Sequence, residues 1–281
     1  MSVKFTILGS GSSGNCAYLE TAEARVLIDA GFSPRQIRQR LATIGRTPEN
    51  LTAILLTHEH SDHISGLPGM ADKLQIPVYC NRGTQDGTLW AFKSRWTSKK
   101  APVLEGLDGT ETFKKKMDWR LFTTGASFEI GDIQVDTFSI PHDAQDPVGF
   151  LLRTPAGNIG LATDLGHMTK LVIERTRTAN VLVLESNHDI KLLQDCPHRP
   201  WSLKQRILGR HGHLSNDAAA EAAAQIISAE LKHLYLGHLS SQCNKPEIAR
   251  RVMHDRLQQI GAMHVQLQIA DQHLPAVTLE L

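Results

Sequence analysis

A short apolar run at residues 51–56 hands over to Thr57-His58-Glu59-His60-Ser61-Asp62-His63, and few sequence features restrict a fold so tightly. Side chains on a strand alternate faces, so His58, His60, Asp62 and His63 cannot all reach one ion from an extended chain. The run reads as a buried strand that turns into a compact loop after Leu56. In such a loop His58 and His60 can hold one cation while Asp62 and His63 turn towards a second. Imidazole with carboxylate suits Zn, Mn or Fe. The plain alternative is a polar surface turn that happens to be rich in histidine; the density of the pattern and its place behind a strand argue against it. The spacing also differs from His-Glu-x-x-His, which sets two ligands one helical turn apart.

The same arrangement recurs along the chain. Strand patterns at 3–8, 17–20 and 25–29 surround the turn Gly9-Ser10-Gly11-Ser12-Ser13-Gly14-Asn15. This turn lacks the Gly-Lys-Ser/Thr ending and the following helix of a phosphate loop, so it reads as a tight strand-to-strand turn. Its backbone amides could still meet a substrate phosphate. Ser33 and Pro34 open a helix that Gly45 closes. Residues 64–74 read as helix or loop, 76–80 as a strand and 82–90 as a helix. Hairpins turn at Gly131-Asp132 and at residues 155–158. Helices follow at 169–178, 203–208, 216–231 and 246–260, with strands at 181–184, 234–236, 265–269 and 277–279. Strands end in His58, His142, Asp164, Glu185 and His238. Ligand-capable residues at the carboxyl ends of buried strands are what a site on one sheet edge requires. No internal repeat, low-complexity tract or long linker is visible, and residues 1–281 read as a single domain.

His142, Asp164 and His238 complete two coordination spheres. One ion would take His58, His60, His142 and Asp164; the other would take Asp62, His63, Asp164 and His238, with the Asp164 carboxylate bridging. Two ions roughly 3.5–4 Å apart can hold a hydroxide between them and stabilise both ends of an in-line displacement.

Composition narrows the partners. The formal net charge is +1, so a nucleic-acid footprint must be local. The candidate is 93–120, where Lys93, Arg95, Lys99, Lys100, Lys114, Lys115, Lys116 and Arg120 interleave with Trp96 and Trp119 and follow Trp90. Glu105, Asp108, Glu111 and Asp118 dilute it, and a solvated surface with core tryptophans is the bland alternative. Cys16, Cys80, Cys196 and Cys243 are scattered and form no C-x-x-C, as expected of reduced thiols in a reducing compartment. No secretory leader or apolar run of ~18 residues is present, which points to the cytoplasm and to no membrane role.

Taken in order, the stretches Leu8-Gly9-Ser10-Gly11-Ser12-Ser13-Gly14-Asn15-Cys16, residues 57–64, Pro141-His142-Asp143-Ala144, Thr163-Asp164-Leu165-Gly166, Leu184-Glu185-Ser186-Asn187-His188-Asp189, Gly212-His213-Leu214-Ser215-Asn216 and Leu236-Gly237-His238-Leu239-Ser240 resemble the metallo-β-lactamase fold superfamily, whose signature is His-x-His-x-Asp-His. The resemblance is greatest to its YycJ/WalJ branch, relatives of ribonuclease Z. It implies an α/β (α+β) fold, a four-layer αββα sandwich, with two divalent metal ions (Zn or Mn, with Fe allowed) along one sheet edge. It also implies catalytic roles for Asp62, Glu185 and His213. The Glu185–His213 pair would stand near a scissile phosphate, with His213 helping to protonate the leaving oxygen. Asn187 and His188 would hydrogen-bond around the ligands. The tyrosine of ribonuclease Z is absent, Ser240-Ser241-Gln242-Cys243-Asn244 standing in its place, and no tRNA-gripping arm or large inserted domain is visible. The branch implies a 5′→3′ DNA exonuclease linked to mismatch repair, in which hydroxide attacks phosphorus and a histidine assists departure. An RNase or small phosphodiester hydrolase is the alternative reading, and a non-catalytic metal-binding regulatory protein is the alternative of another class.

Overall fold

The computed structural model describes residues 2–98 and 117–281. Two seven-stranded sheets face one another. The first runs β14 (Leu279–Glu280), β1 (Lys4–Gly9), β2 (Cys16–Glu20), β3 (Arg25–Ile28), β4 (Ala53–Leu55), β5 (Val78–Cys80), β6 (Trp119–Leu121). The second runs β13 (Gln266–Ile269), β12 (His233–Gly237), β11 (Val181–Glu185), β10 (Gly157–Ala162), β9 (Val148–Thr154), β8 (Ile133–Ser139), β7 (Ser127–Ile130). Each sheet starts as an antiparallel meander. The first turns parallel from β3 to β6, the second from β10 to β13. Parallel strands are covered on both faces, which is why β4 and β11 read as unbroken apolar runs.

The helices are α1 (Pro34–Thr43), α2 (Ser61–Ile64), α3 (Arg82–Ser98), α4 (Lys170–Thr176), α5 (Ile190–Asp195), α6 (Trp201–Leu208), α7 (Asn216–Ile226) and α8 (Pro246–Gln259). Ser33 caps α1 in a capping box with Gln36, as its sequence suggests. One apolar core lies between the sheets, where Phe5, Leu19 and Val26 meet Val135, Phe150 and Tyr235. A second holds α1 and α3 against the first sheet through Leu27, Ile37, Leu41, Ile54 and Phe92. A third holds α4, α7 and α8 against the second through Val172, Leu182, Ala219, Ala223 and Met253. These layers make the expected four-layer αββα sandwich.

Several elements differ from their sequence patterns. The helix expected over 216–231 stops at Ile226. The Ser228 hydroxyl bonds the Arg177 carbonyl and accepts from the Glu230 amide, holding the chain in a turn instead. Residues 64–74 form two helical pieces rather than one: a single turn, α2, carries Asp62 and His63, and a π-helical turn follows at Pro68–Asp72. Most of the basic stretch, including Lys114, Lys115 and Lys116, lies outside the described residues. Within it, Arg120 is paired with Asp118 at 2.9 Å.

One glycine lets the ligand loop close. A Cβ on Gly31 would stand 1.6 Å from the Asp62 carbonyl oxygen, the oxygen that accepts the Asn15 amide at 2.8 Å. Gly45, by contrast, sits at φ +69° with open space around it. Gly31→Ala should therefore destabilise the protein by about 3 kcal/mol through overpacking. Gly45→Ala should cost only about 1 kcal/mol of left-handed strain. Urea denaturation of both variants checks the order.

Candidate metal centre

β3 and β4 deliver the first half of the site. Asp29, just past β3, accepts the Thr57 amide and hydroxyl, each at 2.9 Å, and His63 Nδ1 at 2.8 Å. The Thr57 oxygen in turn accepts from His58 Nδ1 at 3.0 Å. Both rings are buried and held through Nδ1, which leaves Nε2 facing inward. Between the ligands, Glu59 turns away: its carboxylate accepts the Gln145 amide and lies against Gly87 of α3. His142 is held through Nδ1 by the Gly212 carbonyl at 3.2 Å, and its Nε2 comes within 3.2 Å of His60 Nδ1.

β10 and β12 deliver the second half. His238 Nε2 lies 3.3 Å from both Asp62 Oδ2 and Asp164 Oδ1. The other Asp164 oxygen lies 3.4 Å from His63 Nε2, so this carboxylate stands between the two halves. Asp29, Asp164 and His238 take positive φ values of 59°, 62° and 56°. Such angles are uncommon outside glycine and cluster at functional sites. Here they turn the chain sharply at the ends of β3, β10 and β12.

Glu185 is buried at the end of β11. Its Oε1 accepts His213 Nδ1 at 2.7 Å and His238 Nδ1 at 3.1 Å; its Oε2 accepts the amides of Leu165 and Leu214. It has no face on the cleft and acts through the two rings it holds. His213 does line the cleft, with His60, Asp62, His142, Asp164 and His238, around a volume of about 200 Å3. His188 is buried behind these residues, and neither ring nitrogen meets a partner. Asn187 donates to the His238 carbonyl at 2.8 Å.

Asp29 and Asn15 were not singled out from sequence. The strand pattern over 25–29 ends in Asp29, and the strand-end rule that picked out Asp164 applies to it as well. Asn15 reaches Asp62 Oδ2 at 3.3 Å and accepts the Ser10 hydroxyl and Gly11 amide. Four more amides of the glycine–serine turn are engaged: those of Ser10, Ser13, Gly14 and Asn15 bond Asp271, Gln272, Gly11 and Asp62. The turn braces the ligand loop, as a tight strand-to-strand turn would, while Ser12 lines the cleft.

Burial opposes charge at every ring. It prevails at His58, His60 and His142, which lie below the usual histidine value, with neighbouring imidazoles adding to the effect at His58 and His60. At His63 the carboxylates of Asp29, Asp164 and Asp62 outweigh burial and hold the ring well above that value. Asp164, Asp62 and Glu185 do the same at His238. Burial is likewise overcome at Asp62 and Asp164, where the imidazoles hold the carboxyls low.

These residues fit divalent cations. His58 Nε2 and Asp164 Oδ2 are buried with no hydrogen-bond partner, a costly state that a cation relieves. Donor atoms converge within 4.8 Å in the groups His58–His60–His142, Asp62–His63–His238 and His58–His63–Asp164.

An αββα sandwich with histidine and carboxylate donors gathered at its strand ends defines the class of metal-dependent hydrolases. A family model described as a beta-lactamase superfamily domain matches residues 24–238. Exodeoxyribonuclease WalJ of Streptococcus pneumoniae is 37% identical over 256 residues, covering 91% of this chain and 88% of that protein. Exodeoxyribonuclease YycJ of Bacillus anthracis is 36% identical over 261 residues, covering 93% and 91%. The crystal structure of Zn(2+)-bound PqqB from Methylobacterium extorquens shares the fold, with a TM-score of 0.69 across the whole of both chains at 16% identity. The chain belongs to the metallo-β-lactamase superfamily, on its WalJ/YycJ branch. Among the described residues, no helix is long and apolar enough to cross a membrane.

Two outcomes follow from the hydrogen bonds around the donors. Asp29→Ala should weaken Zn affinity about 10–100-fold by freeing the His63 ring, read by competition with a chromophoric chelator. The neighbouring carboxylates raise the pKa values of His63 and His238, so a cation competes with protons for these rings. Affinity should therefore strengthen as pH rises. Calorimetry in buffers of different ionisation enthalpy should show proton release on Zn binding.

Proposed function

We propose that this chain is a divalent-metal-dependent 5′→3′ DNA exonuclease. The observation that carries the reading is His213, fixed on buried Glu185 at 2.7 Å and facing the cleft beside the gathered donors. The names of its WalJ and YycJ relatives make DNA the favoured polymer. Two cations are proposed, one with His58, His60 and His142, the other with Asp62, His63 and His238, and Asp164 between them. Both sheets contribute donors to one cluster, so we read residues 1–281 as one functional unit. The cysteines are free, in keeping with a reducing cytoplasmic setting.

Bound cations supply Lewis acidity and a nucleophile at neutral pH. The chain's own residues supply orientation and a proton. Glu185 accepts His213 Nδ1–H, so Nε2 is the nitrogen turned to substrate. Although burial opposes it, Glu185 raises the His213 pKa above the ordinary histidine value, which favours the protonated ring. Nε2–H can then be donated to the departing sugar oxygen. Glu185 is a positioning residue for both His213 and His238.

His213→Ala should lower kcat on DNA about 10²–10⁴-fold, the usual worth of a placed acid. The loss should be far smaller on a p-nitrophenyl diester, whose leaving group needs no proton. Wild-type kcat should decline as pH climbs through the raised His213 pKa, and the variant should lose that limb. Asp62→Ala should abolish both activities. The deciding assay is a panel of end-labelled single- and double-stranded DNA, RNA and a small diester, with Mn or Zn. Preference for RNA or for the small diester would move the assignment to those hydrolases; inactivity with every metal would leave a regulatory metal-binding protein.

A further inference from the structure

The cleft is also walled by α6 and the residue pair that precedes it. Arg199, Leu203, Arg206 and Ile207 line it. Their spacing places Leu203, Arg206 and Ile207 on one helical face, with Arg199 at its start. The two arginines differ in state. Arg206 is spent: its Nε is hydrogen-bonded to Asp143, itself a cleft residue beside His142. Arg199 has no carboxylate partner among the described residues. Its Nη2 reaches only the Ser240 hydroxyl, at 3.5 Å, and its Nε is buried without any partner. A guanidinium offers a rigid fork of donors that suits phosphate. Here that fork stands without a carboxylate partner in a cleft that Asp62, Asp143 and Asp164 also line, and an incoming phosphate can complete it. Between the arginines, Leu203 and Ile207 give the wall an apolar strip suited to a sugar or base face.

We infer that Arg199 binds the substrate phosphate adjacent to the scissile one, with Leu203 and Ile207 packing on the intervening nucleoside. The wall thereby selects a polynucleotide strand over an isolated phosphodiester. This inference rests on the nuclease reading above and assigns that site a second phosphate.

The test compares wild type, Arg199→Ala and Arg199→Lys on a single-stranded DNA oligonucleotide and on a p-nitrophenyl diester with one phosphate. Binding of a cleavage-resistant phosphorothioate oligonucleotide to the metal-loaded protein is followed by fluorescence anisotropy over a range of salt. Arg199→Ala should raise Kd and KM for the oligonucleotide about tenfold, the scale of one charge-assisted contact, with kcat little changed. The slope of log affinity against log salt should shrink by about 0.7. Arg199→Lys should restore the salt slope but only part of the affinity, because it returns the charge without the fork. Cleavage of the one-phosphate diester should be unaffected by either change. An oligonucleotide with a neutral methylphosphonate at the adjacent linkage should reproduce the loss in wild type, and Arg199→Ala should add nothing to it. Equal loss on both substrates, a salt slope unchanged by Arg199→Ala or not restored by Arg199→Lys, or additive losses would each overturn the inference. Wild type that binds DNA without cutting it would remove the nuclease reading and leave the Arg199 contact to stand on the anisotropy data. Wild type that does not bind DNA would overturn both.

Discussion

Like-charged and strongly polar groups crowd one small volume at the strand ends, and their mutual compensation governs the architecture. Asp29, Asp62, Asp164 and Glu185 share this space with His58, His60, His63, His142, His213 and His238. Unpaired carboxylates so close together, away from water, would be prohibitive. The protein offsets the cost by pairing each carboxylate with imidazoles and by tying the far nitrogen of most rings to a fixed partner. Thr57 holds His58, Asp29 holds His63, Gly212 holds His142 and Glu185 holds His238, each through Nδ1. That choice sets the tautomer and leaves Nε2 as the converging atom. The residue left over, Asp164 Oδ2 with His58 Nε2, is what cations are needed to satisfy.

The framework can hold this arrangement because its strand ends are rigid. β3 and β4 pair in register from Val26 and Ala53 to Ile28 and Leu55, which fixes Asp29 against Thr57. β11 and β12 pair from Val181 and His233 to Glu185 and Gly237, which fixes Glu185 beside His238. The donors themselves sit in loops, but the groups that orient them are anchored at the ends of buried parallel strands. Their precision is inherited from sheet register.

This division explains what could be read from the chain. The His58–His63 motif was legible because its spacing is local, and many of the strands because buried parallel strands leave unbroken apolar runs, while the αββα layering came from the family resemblance. His142, Asp164, Glu185 and His238 were legible because each follows such a run. Asp29 follows one too, but its importance depends on β3 lying beside β4, and lateral neighbours are not written in sequence. The central placement of Glu185 has the same origin: its second ring, His238, is 53 positions away. The glycine–serine turn is braced by contacts of the same long-range kind, the Ser10 and Ser13 amides bonding Asp271 and Gln272 from the far end of the chain. The two sheets follow one plan, a meander and then parallel strands, with no visible sequence repeat. The plan needs only apolar and polar residues in the right period, which many sequences satisfy.

The left-handed residues show how geometry and chemistry are joined. A non-glycine residue in that region costs about 1–2 kcal/mol, and Asp29, Asp164 and His238 all take it. A strand that simply continued would carry each side chain on one face of a sheet, buried in one of the apolar cores. A single left-handed residue ends the strand and redirects the chain along the sheet edge, where donors from both sheets can meet. The strain persists because bonds over-determine it. Ser10 takes the His238 amide and Asn187 its carbonyl, while Thr57 and His63 pin Asp29. Strained backbone, unpartnered donors and crowded carboxylates therefore share one place, and a cation bound there acts on the last two directly and on the first through the side chains it holds. The site is then part of what completes the fold as well as what the fold supports.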